Sequence, residues 1–231
     1  MRDGRVSLLI PVYNEAPTIR EVLERVEALP LDKQIVVVDD GSTDRTPTLL
    51  DEWQAEHADT VVLHRPHRGK GAAVRAAIPY ATGAICVIQD ADLEYDPDDV
   101  PGLIRPIEQG HADVVFGSRL AGGAPQRAFM FWHLVGNRML SLLASILYDT
   151  TLSDMETGYK AFRTEALRAL TLREDRFGIE AEITAEVCRR GLRIYELPIS
   201  YYGRTYADGK KITWRDGLDA IRVLVACRLR R

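Results

Sequence analysis

The strongest constraint on the fold is the alternation of strand patterns and helix patterns through the first 120 residues. The clearest strand covers residues 34–39, where a continuous run of β-branched residues is typical of a strand buried on both faces. Strands that alternate with helices form βαβ units, which predict a parallel sheet with right-handed crossovers. We therefore expect an α/β fold with a mostly parallel central sheet flanked by helices.

Further strand and helix patterns follow in a less regular order, and we expect the chain, residues 1–231, to form a single domain. Predicted strands cover residues 6–10, 34–39, 60–63, 84–89, 113–116 and 193–197. Predicted helices cover residues 16–29, 44–57, 71–80, 97–109, 129–148, 164–170, 179–190 and 214–227. Because the regular alternation ends near Arg119, we divide the domain into two halves, residues 1–120 and 121–231.

Composition and charge exclude several classes of protein. With 46% hydrophobic and 28% charged residues, the chain can bury a substantial core and is not disordered. A net charge of −4 does not favour nucleic-acid binding, so we expect no nucleic-acid partner. The sequence shows no signal-peptide pattern and no uninterrupted apolar stretch of about 18 residues, which predicts a cytoplasmic protein without a conventional transmembrane helix.

Two carboxylates follow the predicted strand at residues 84–89. They are Asp90 and Asp92, separated by Ala91. In open α/β sheets, ligands bind at the carboxyl ends of the strands. Oxygen ligands on a rigid strand end suit a hard divalent cation, so this pair predicts a site for Mg²⁺ or Mn²⁺, with Glu94 as a further ligand. Turn and capping residues also form this pattern, and the neighbouring motifs decide between the two interpretations.

Three further polar motifs follow predicted strands or begin a predicted helix. Tyr13 offers a ring on which a base can stack, and Glu15 can accept hydrogen bonds from a base or ribose. Asp40 is placed to do the same after the second strand, whereas Asp44 is better explained as a helix cap. Lys70 lies between two glycines at a helix start, where positive charge and backbone N–H groups can hold phosphate. Together these motifs favour a nucleotide-binding site.

The combined motifs resemble those of the family 2 glycosyltransferases, which have a Rossmann-like GT-A fold. The segments that carry this resemblance are residues 11–15 (PVYNE), 39–44 (DDGSTD), 69–71 (GKG) and 90–92 (DAD). A second set resembles the polyprenyl-phosphate sugar synthases, the group typified by dolichol-phosphate mannose synthase. These segments are residues 117–119, 137–138, 154–160 and 202–210. The resemblance extends over residues 7–217, which is nearly the whole chain.

The resemblance implies a role for each matching residue. The nucleoside is assigned to Pro11, Tyr13, Glu15, Val38 and Asp40. The ribose, the diphosphate and the metal ion are assigned to Asp90, Ala91 and Asp92, with Glu94 beside the metal. Basic residues implied to contact phosphates or close over the donor are Arg119, Arg204 and Lys210. Arg138 matches a position where a basic residue can meet an acceptor phosphate.

The resemblance also implies a reaction. It is the metal-dependent, inverting transfer of a hexose, mannose or glucose, from a GDP- or UDP-sugar to a polyprenyl (dolichyl-type) phosphate. The first half of the domain then binds the nucleotide sugar, and the second half binds the acceptor. The residues implied in catalysis are Asp92, Arg119, Asp154 and Arg204. Asp154 has two interpretations, a general base for a hydroxyl acceptor or a residue that orients an acceptor phosphate.

Apolar side chains in the second half predict a contact surface. The residues considered for it are Phe129, Phe131, Trp132, Leu134, Leu140, Leu143 and Leu147, together with the C-terminal helix. They can lie in lipid headgroups, which would place the protein peripherally on the cytoplasmic face of a membrane. They can equally pack against the sheet or against the second subunit of a homodimer, and these interpretations stay open.

Three other functions remain as alternatives. The first is a family 2 glycosyltransferase that acts on a soluble hydroxyl compound or a glycan. The second is a nucleotidyltransferase that makes nucleotide sugars, but the glycine-rich N-terminal loop expected of it is absent. The third is a non-catalytic module that binds nucleotide sugars, against which the complete set of acidic and basic residues argues.

Overall fold

A seven-stranded sheet forms the centre of the fold. The computed structural model describes residues 2–125, 127, 131–204 and 214–230, excluding the side chains of residues 2, 3 and 214. The strands are β1 Arg2–Val12, β2 Lys33–Asp39, β3 Thr60–His64, β4 Gly83–Ile88, β5 Val114–Ser118, β6 Lys160–Arg163 and β7 Ile194–Pro198. Their order across the sheet is β3-β2-β1-β4-β6-β5-β7. Every described pairing is parallel except those of β6, which confirms the mostly parallel sheet.

Helices cover both faces of the sheet. They are α1 Ile19–Glu27, α2 Thr46–Glu56, α3 Lys70–Ala77, α4 Val100–Glu108, α5 Phe131–Tyr148, α6 Thr164–Ala169, α7 Ile179–Arg189 and α8 Trp214–Leu229. Helices α1, α2 and α4 share one core with the side chains of Leu8 and Ile10 on β1. Helices α3, α6 and α7 share the other core with Leu9. Because successive side chains of a strand point to opposite faces, the continuous apolar run of β1 is buried on both.

The antiparallel strand β6 was not predicted from the sequence, in which residues 150–158 were expected to form a loop and residues 160–163 were given no element. Its four residues include only two apolar side chains, Ala161 and Phe162. It begins with Lys160, which is 0% exposed although lysine normally marks a solvated position. The strand lies between β4 and β5, so it sets the spacing between the two parts of the sheet.

Helices α5 and α8 pack on α7 and form a third layer. Their shared cluster contains Ala144, Val223 and Leu224, with Leu140, Leu143 and Leu147 packed against it. Of the interpretations left open by the sequence, packing within the protein therefore holds for these three leucines, because the helical period turns them toward α7 and α8. Phe129 lies outside the described residues. Within the described ranges, no helix has both the length and the apolar content needed to span a bilayer.

Candidate functional site

The carboxyl ends of β1, β2 and β4 bring the predicted donor residues together. Pro11 and Val38 are register partners on β1 and β2, although they come from separate motifs. The strand β4 ends at Ile88, directly before the motif that contains Asp90 and Asp92. This is the sheet edge at which ligands bind in open α/β folds. The fold therefore places the donor motifs side by side, as the sequence pattern predicted.

The predicted nucleoside residues include an aromatic pair. The ring of Tyr13 stacks on the ring of His67 with centroids 4.1 Å apart. The Nδ1 atom of His67 lies 2.8 Å from Asp40 Oδ2. The same carboxylate accepts hydrogen bonds from the backbone N–H groups of Arg68 at 3.1 Å and Gly69 at 2.6 Å. Asp40 thus holds the backbone of the loop before α3 by hydrogen bonds. Its contact with a base or ribose stays a prediction. Sequence reasoning missed His67, since it belongs to none of the recognised motifs.

Arg204 connects three of the predicted acidic positions. Its Nη1 donates to Glu15 Oε2 at 3.1 Å, and its Nη2 donates to the backbone carbonyl of Asp92. The backbone N–H of Arg204 donates to Glu94, which also accepts a hydrogen bond from Tyr201 Oη at 3.1 Å. The predicted donor residues Glu15, Asp92 and Arg204 therefore lie within one hydrogen-bond network. The predicted Lys210 lies outside the described residues.

Of the three carboxylates predicted to bind a divalent cation, Asp90 and Asp92 have suitable chemistry, whereas Glu94 is engaged by other residues. Burial, followed by the negative charges of Asp90 and Glu94, raises the pKa of Asp92 to about 7. Such repulsion is relieved when a cation lies between carboxylates, so the donor chemistry of Asp90 and Asp92 suits Mg²⁺ or Mn²⁺. In the part of the chain that the structure describes, no three His, Cys, Asp or Glu side chains already form a metal-binding group. Because Glu94 is engaged by Tyr201 and Arg204, its role as a ligand remains a prediction.

Arg119 and the buried Asp154, both predicted to act in catalysis, form an ion pair. Arg119, directly after β5, donates from Nε and Nη2 to the two carboxylate oxygens of Asp154, each at 2.7 Å. Its backbone N–H donates to Asp154 Oδ2 at 2.9 Å, and Asn137 Nδ2 donates to Oδ1 at 2.7 Å. Burial opposes ionisation of the fully buried Asp154, but Arg119 and Asn137 outweigh it and hold the pKa of the carboxyl below its usual range.

Two further residues secure the loop around Asp154, and sequence reasoning missed both. The Glu196 carboxylate accepts hydrogen bonds from the backbone N–H groups of Ser153 at 2.9 Å and Asp154 at 3.2 Å. Asn137 belongs to a recognised motif, but only its neighbour Arg138 was predicted to act. Arg138 is exposed on α5, and its contact with an acceptor phosphate stays a prediction.

The helix that supplies Asn137 also has an exposed apolar stripe. The α5 stripe consists of Trp132, Met139, Leu142 and Ile146, which are 60–79% exposed. Their spacing of seven, three and four residues places them along one side of the helix. Trp132 belonged to the predicted contact surface, whereas the other three were not singled out. The structure thus divides the apolar residues of α5 into a packed side and an exposed side.

Comparison with known proteins places this geometry in a family. Residues 7–171 match the protein family described as "Glycosyl transferase family 2". Glycosyltransferase AglJ of Haloferax volcanii is 35% identical over 202 residues, which cover 86% of this chain and 63% of AglJ. The chain therefore spans less than two thirds of that relative. Undecaprenyl-phosphate mannosyltransferase of Micrococcus luteus is 30% identical over 213 residues, which cover 89% of this chain and 87% of that protein.

A solved structure supports the fold. Glucosyl-3-phosphoglycerate synthase of Mycobacterium tuberculosis, crystallised with Mn²⁺, UDP and glucosyl-3-phosphoglycerate, superimposes with a TM-score of 0.72. The match covers 97% of this chain and 80% of the synthase at 22% identity, a level that shows the fold alone. Since the family description matches most of the chain and the Micrococcus relative is matched over most of its length, the chain belongs to glycosyltransferase family 2 and has its GT-A fold.

Proposed function

We propose that this chain transfers a hexose from a GDP- or UDP-sugar to a polyprenyl phosphate, with inversion at the anomeric carbon. The observation that supports a phosphate as the acceptor is the burial and hydrogen bonding of the Asp154 carboxylate. Its carboxylate is fully buried and accepts hydrogen bonds from both Arg119 and Asn137. A carboxylate with a lowered pKa and engaged oxygens is a poor general base.

A phosphate acceptor matches this arrangement better than a hydroxyl acceptor. A hydroxyl group must lose a proton as it attacks, whereas a phosphate monoester is already an anion near neutral pH. The Arg119 guanidinium, with 17% of its side chain exposed, supplies positive charge to such an anion and is held in one orientation by Asp154. The name of the Micrococcus relative, undecaprenyl-phosphate mannosyltransferase, supports the same class of acceptor and mannose as one candidate sugar.

On the donor side, the charges are arranged for a diphosphate leaving group. Asp90 and Asp92 would hold Mg²⁺ or Mn²⁺, which neutralises negative charge on the departing nucleotide. Lys70, at the first residue of α3, adds a positive charge 2.7 Å from Asp90. Arg204 adds another beside Glu15 and Asp92. Preorganised charges of this kind stabilise the charge that develops in a transition state.

We further propose that the α5 stripe contacts lipid, which would place the protein peripherally on the cytoplasmic face of a membrane. The stripe lies on the same helix as Asn137, whose amide contacts Asp154 on the acceptor side. An amphipathic helix that lies in the headgroup region buries such a stripe. The acceptor's isoprenoid chain would then remain in lipid while its phosphate meets Arg119.

The test is transfer of radiolabelled sugar from GDP-mannose and from UDP-glucose to a polyprenyl phosphate, with Mg²⁺, Mn²⁺ or EDTA. We expect metal-dependent label in the organic phase with one of the two donors. Arg119→Lys should lower this label strongly, because lysine cannot form the two parallel hydrogen bonds to Asp154. Label that stays in water as a sugar–acceptor product would instead indicate a soluble acceptor.

A further inference from the structure

A series of alternating charges leads from the core to the donor side of the site. The Lys160 ammonium lies 2.6 Å from Glu180 Oε2, and Glu180 Oε1 lies 3.1 Å from the Lys70 ammonium. Lys70 in turn lies 2.7 Å from Asp90 Oδ1. The Lys160 side chain is 0% exposed, whereas 19% of the Asp90 side chain is exposed. The series therefore begins in the interior and ends at the predicted donor site.

We propose that Glu180 is a positioning residue, which holds the Lys70 ammonium where it contacts the phosphates of the donor; this inference rests on the proposed function. Lysine carries its charge on a flexible stem, so the direction of the ammonium depends on its partners. Of the two carboxylates that contact Lys70, Asp90 belongs to the predicted cation site. Glu180 is buried on α7 and remains an anchor for Lys70 when Asp90 binds another cation.

Lys160 holds Glu180 and the acceptor-side loop at the same time. Besides its contact with Glu180, the ammonium donates to the backbone carbonyls of Met155, at 3.3 Å, and Thr157. These carbonyls belong to the loop that begins with Asp154. One buried ammonium therefore connects the anchor of Lys70 with the segment that carries the acceptor-side carboxylate.

The loop passes directly over the Lys70–Asp90 pair. A Cβ atom at Gly158 would lie 2.5 Å from Asp90 Oδ2 and 2.7 Å from the Lys70 ammonium, closer than nonbonded atoms approach. The backbone N–H of Gly158 donates to Tyr95 Oη at 3.0 Å, which holds the loop at this position. The loop therefore lies close against the Lys70 ammonium, which Glu180 also contacts.

The test compares Glu180→Gln with a matched control, Glu182→Gln. Glu182 is a buried carboxylate on the same helix, but it accepts hydrogen bonds from the backbone of Arg173 and Glu174 and does not contact Lys70. Binding of UDP and GDP is measured by calorimetry with Mn²⁺, and binding of uridine and guanosine by ligand-observed NMR. We expect Glu180→Gln to weaken the preferred diphosphate about tenfold and its nucleoside less than twofold, because only the phosphates contact Lys70. Glu182→Gln should change neither.

A double-mutant cycle with Lys70→Met shows whether Glu180 acts through Lys70. We expect Glu180→Gln to have no further effect on diphosphate binding when Lys70 is already replaced. An equal loss for nucleoside and diphosphate, no loss, or an undiminished effect in the Lys70→Met background would overturn the proposal. If thermal melting shows that Glu180→Gln does not fold, the test uses Glu180→Asp instead. Its side chain is one methylene shorter, which moves the carboxylate away from Lys70, and we expect the same weakening of diphosphate binding. Failure of the wild-type chain to bind either diphosphate would overturn the proposed function itself.

Discussion

At the scale of single residues, Asp154 has two possible roles. It is either a general base for a hydroxyl acceptor or a residue that orients the group that binds an acceptor phosphate. We expect Asp154→Asn to lower transfer at least about a hundredfold, since it leaves the partly buried Arg119 without its counter-charge and orientation. The pH–rate profile should keep its wild-type shape from about pH 6 to 9, because a carboxyl whose pKa lies below its usual range is already ionised there. Steady-state rates of both proteins across this range provide the measurement.

Asp113→Asn is the matched control for that experiment. Asp113 also accepts two hydrogen bonds from an arginine guanidinium, that of Arg193, at 2.8 and 3.0 Å, but it precedes β5 whereas Arg119 follows it. The control variant should retain near wild-type transfer because it lies at the opposite end of the strand. An acid limb that is present in the wild type and disappears only in Asp154→Asn would show that Asp154 is a general base.

Several of the predicted site residues share one property, namely that they stand in short motifs after strands. Asp90 and Asp92 were predicted in this way and Arg119 from the family resemblance, and the structure places all three after the carboxyl ends of β4 and β5. Lys160 and Glu180 were missed because a buried charge is recognisable only when its partner is known. Their contact joins residues on β6 and α7, and no periodicity in the sequence indicates it.

At the scale of elements, helix α5 has two apolar sides, of which one is packed and the other exposed. Its packed side could be expected from its apolar content, but only the positions of α7 and α8 show which side remains exposed. Strand β6 was missed for a related reason, since four residues that begin with lysine carry no strand pattern. Longer elements with a clear period were predicted with small boundary errors, as for residues 34–39 and the observed Lys33–Asp39.

The exposed side of α5 leads to a prediction about membranes. We expect the double variant Met139→Gln/Ile146→Gln to bind anionic lipid vesicles about thirtyfold more weakly, because burial of each of the two side chains contributes on the order of 1 kcal/mol. Transfer to a short, water-soluble polyprenyl phosphate should remain near the wild-type level. Vesicle flotation and solution assays separate these two effects.

Tyr80→Ser is the control for vesicle binding, since Tyr80 is an exposed aromatic residue in the turn after α3. It should leave flotation unchanged. Unaltered vesicle binding by the α5 double variant would contradict lipid contact. If that variant also changed from dimer to monomer in gel filtration, the stripe would instead be the homodimer interface that the sequence left open.

At the scale of the whole molecule, several buried charges of the site interact across β6 and α7, and their balance depends on pH. Glu156 lies among them, near Glu180, Lys160, Arg119 and Asp154. Burial, followed by the negative charge of Glu180, raises the pKa of Glu156 to about 7. Its Oε1 atom is buried and has no hydrogen-bond partner among the described residues.

This raised pKa means that ionisation of Glu156 opposes folding. Between about pH 4.5 and 7 the unfolded chain has released the proton and the folded chain still holds it, so the free energy of unfolding falls as pH rises. We expect Glu156→Gln, which cannot ionise, to be more stable than wild type by a margin that grows by about 2–3 kcal/mol from pH 5 to 8. Urea unfolding at both pH values measures this margin, and the exposed Glu165→Gln should show no such growth. A margin that is constant with pH would mean that Glu156 ionises as readily in the folded chain as in the unfolded one.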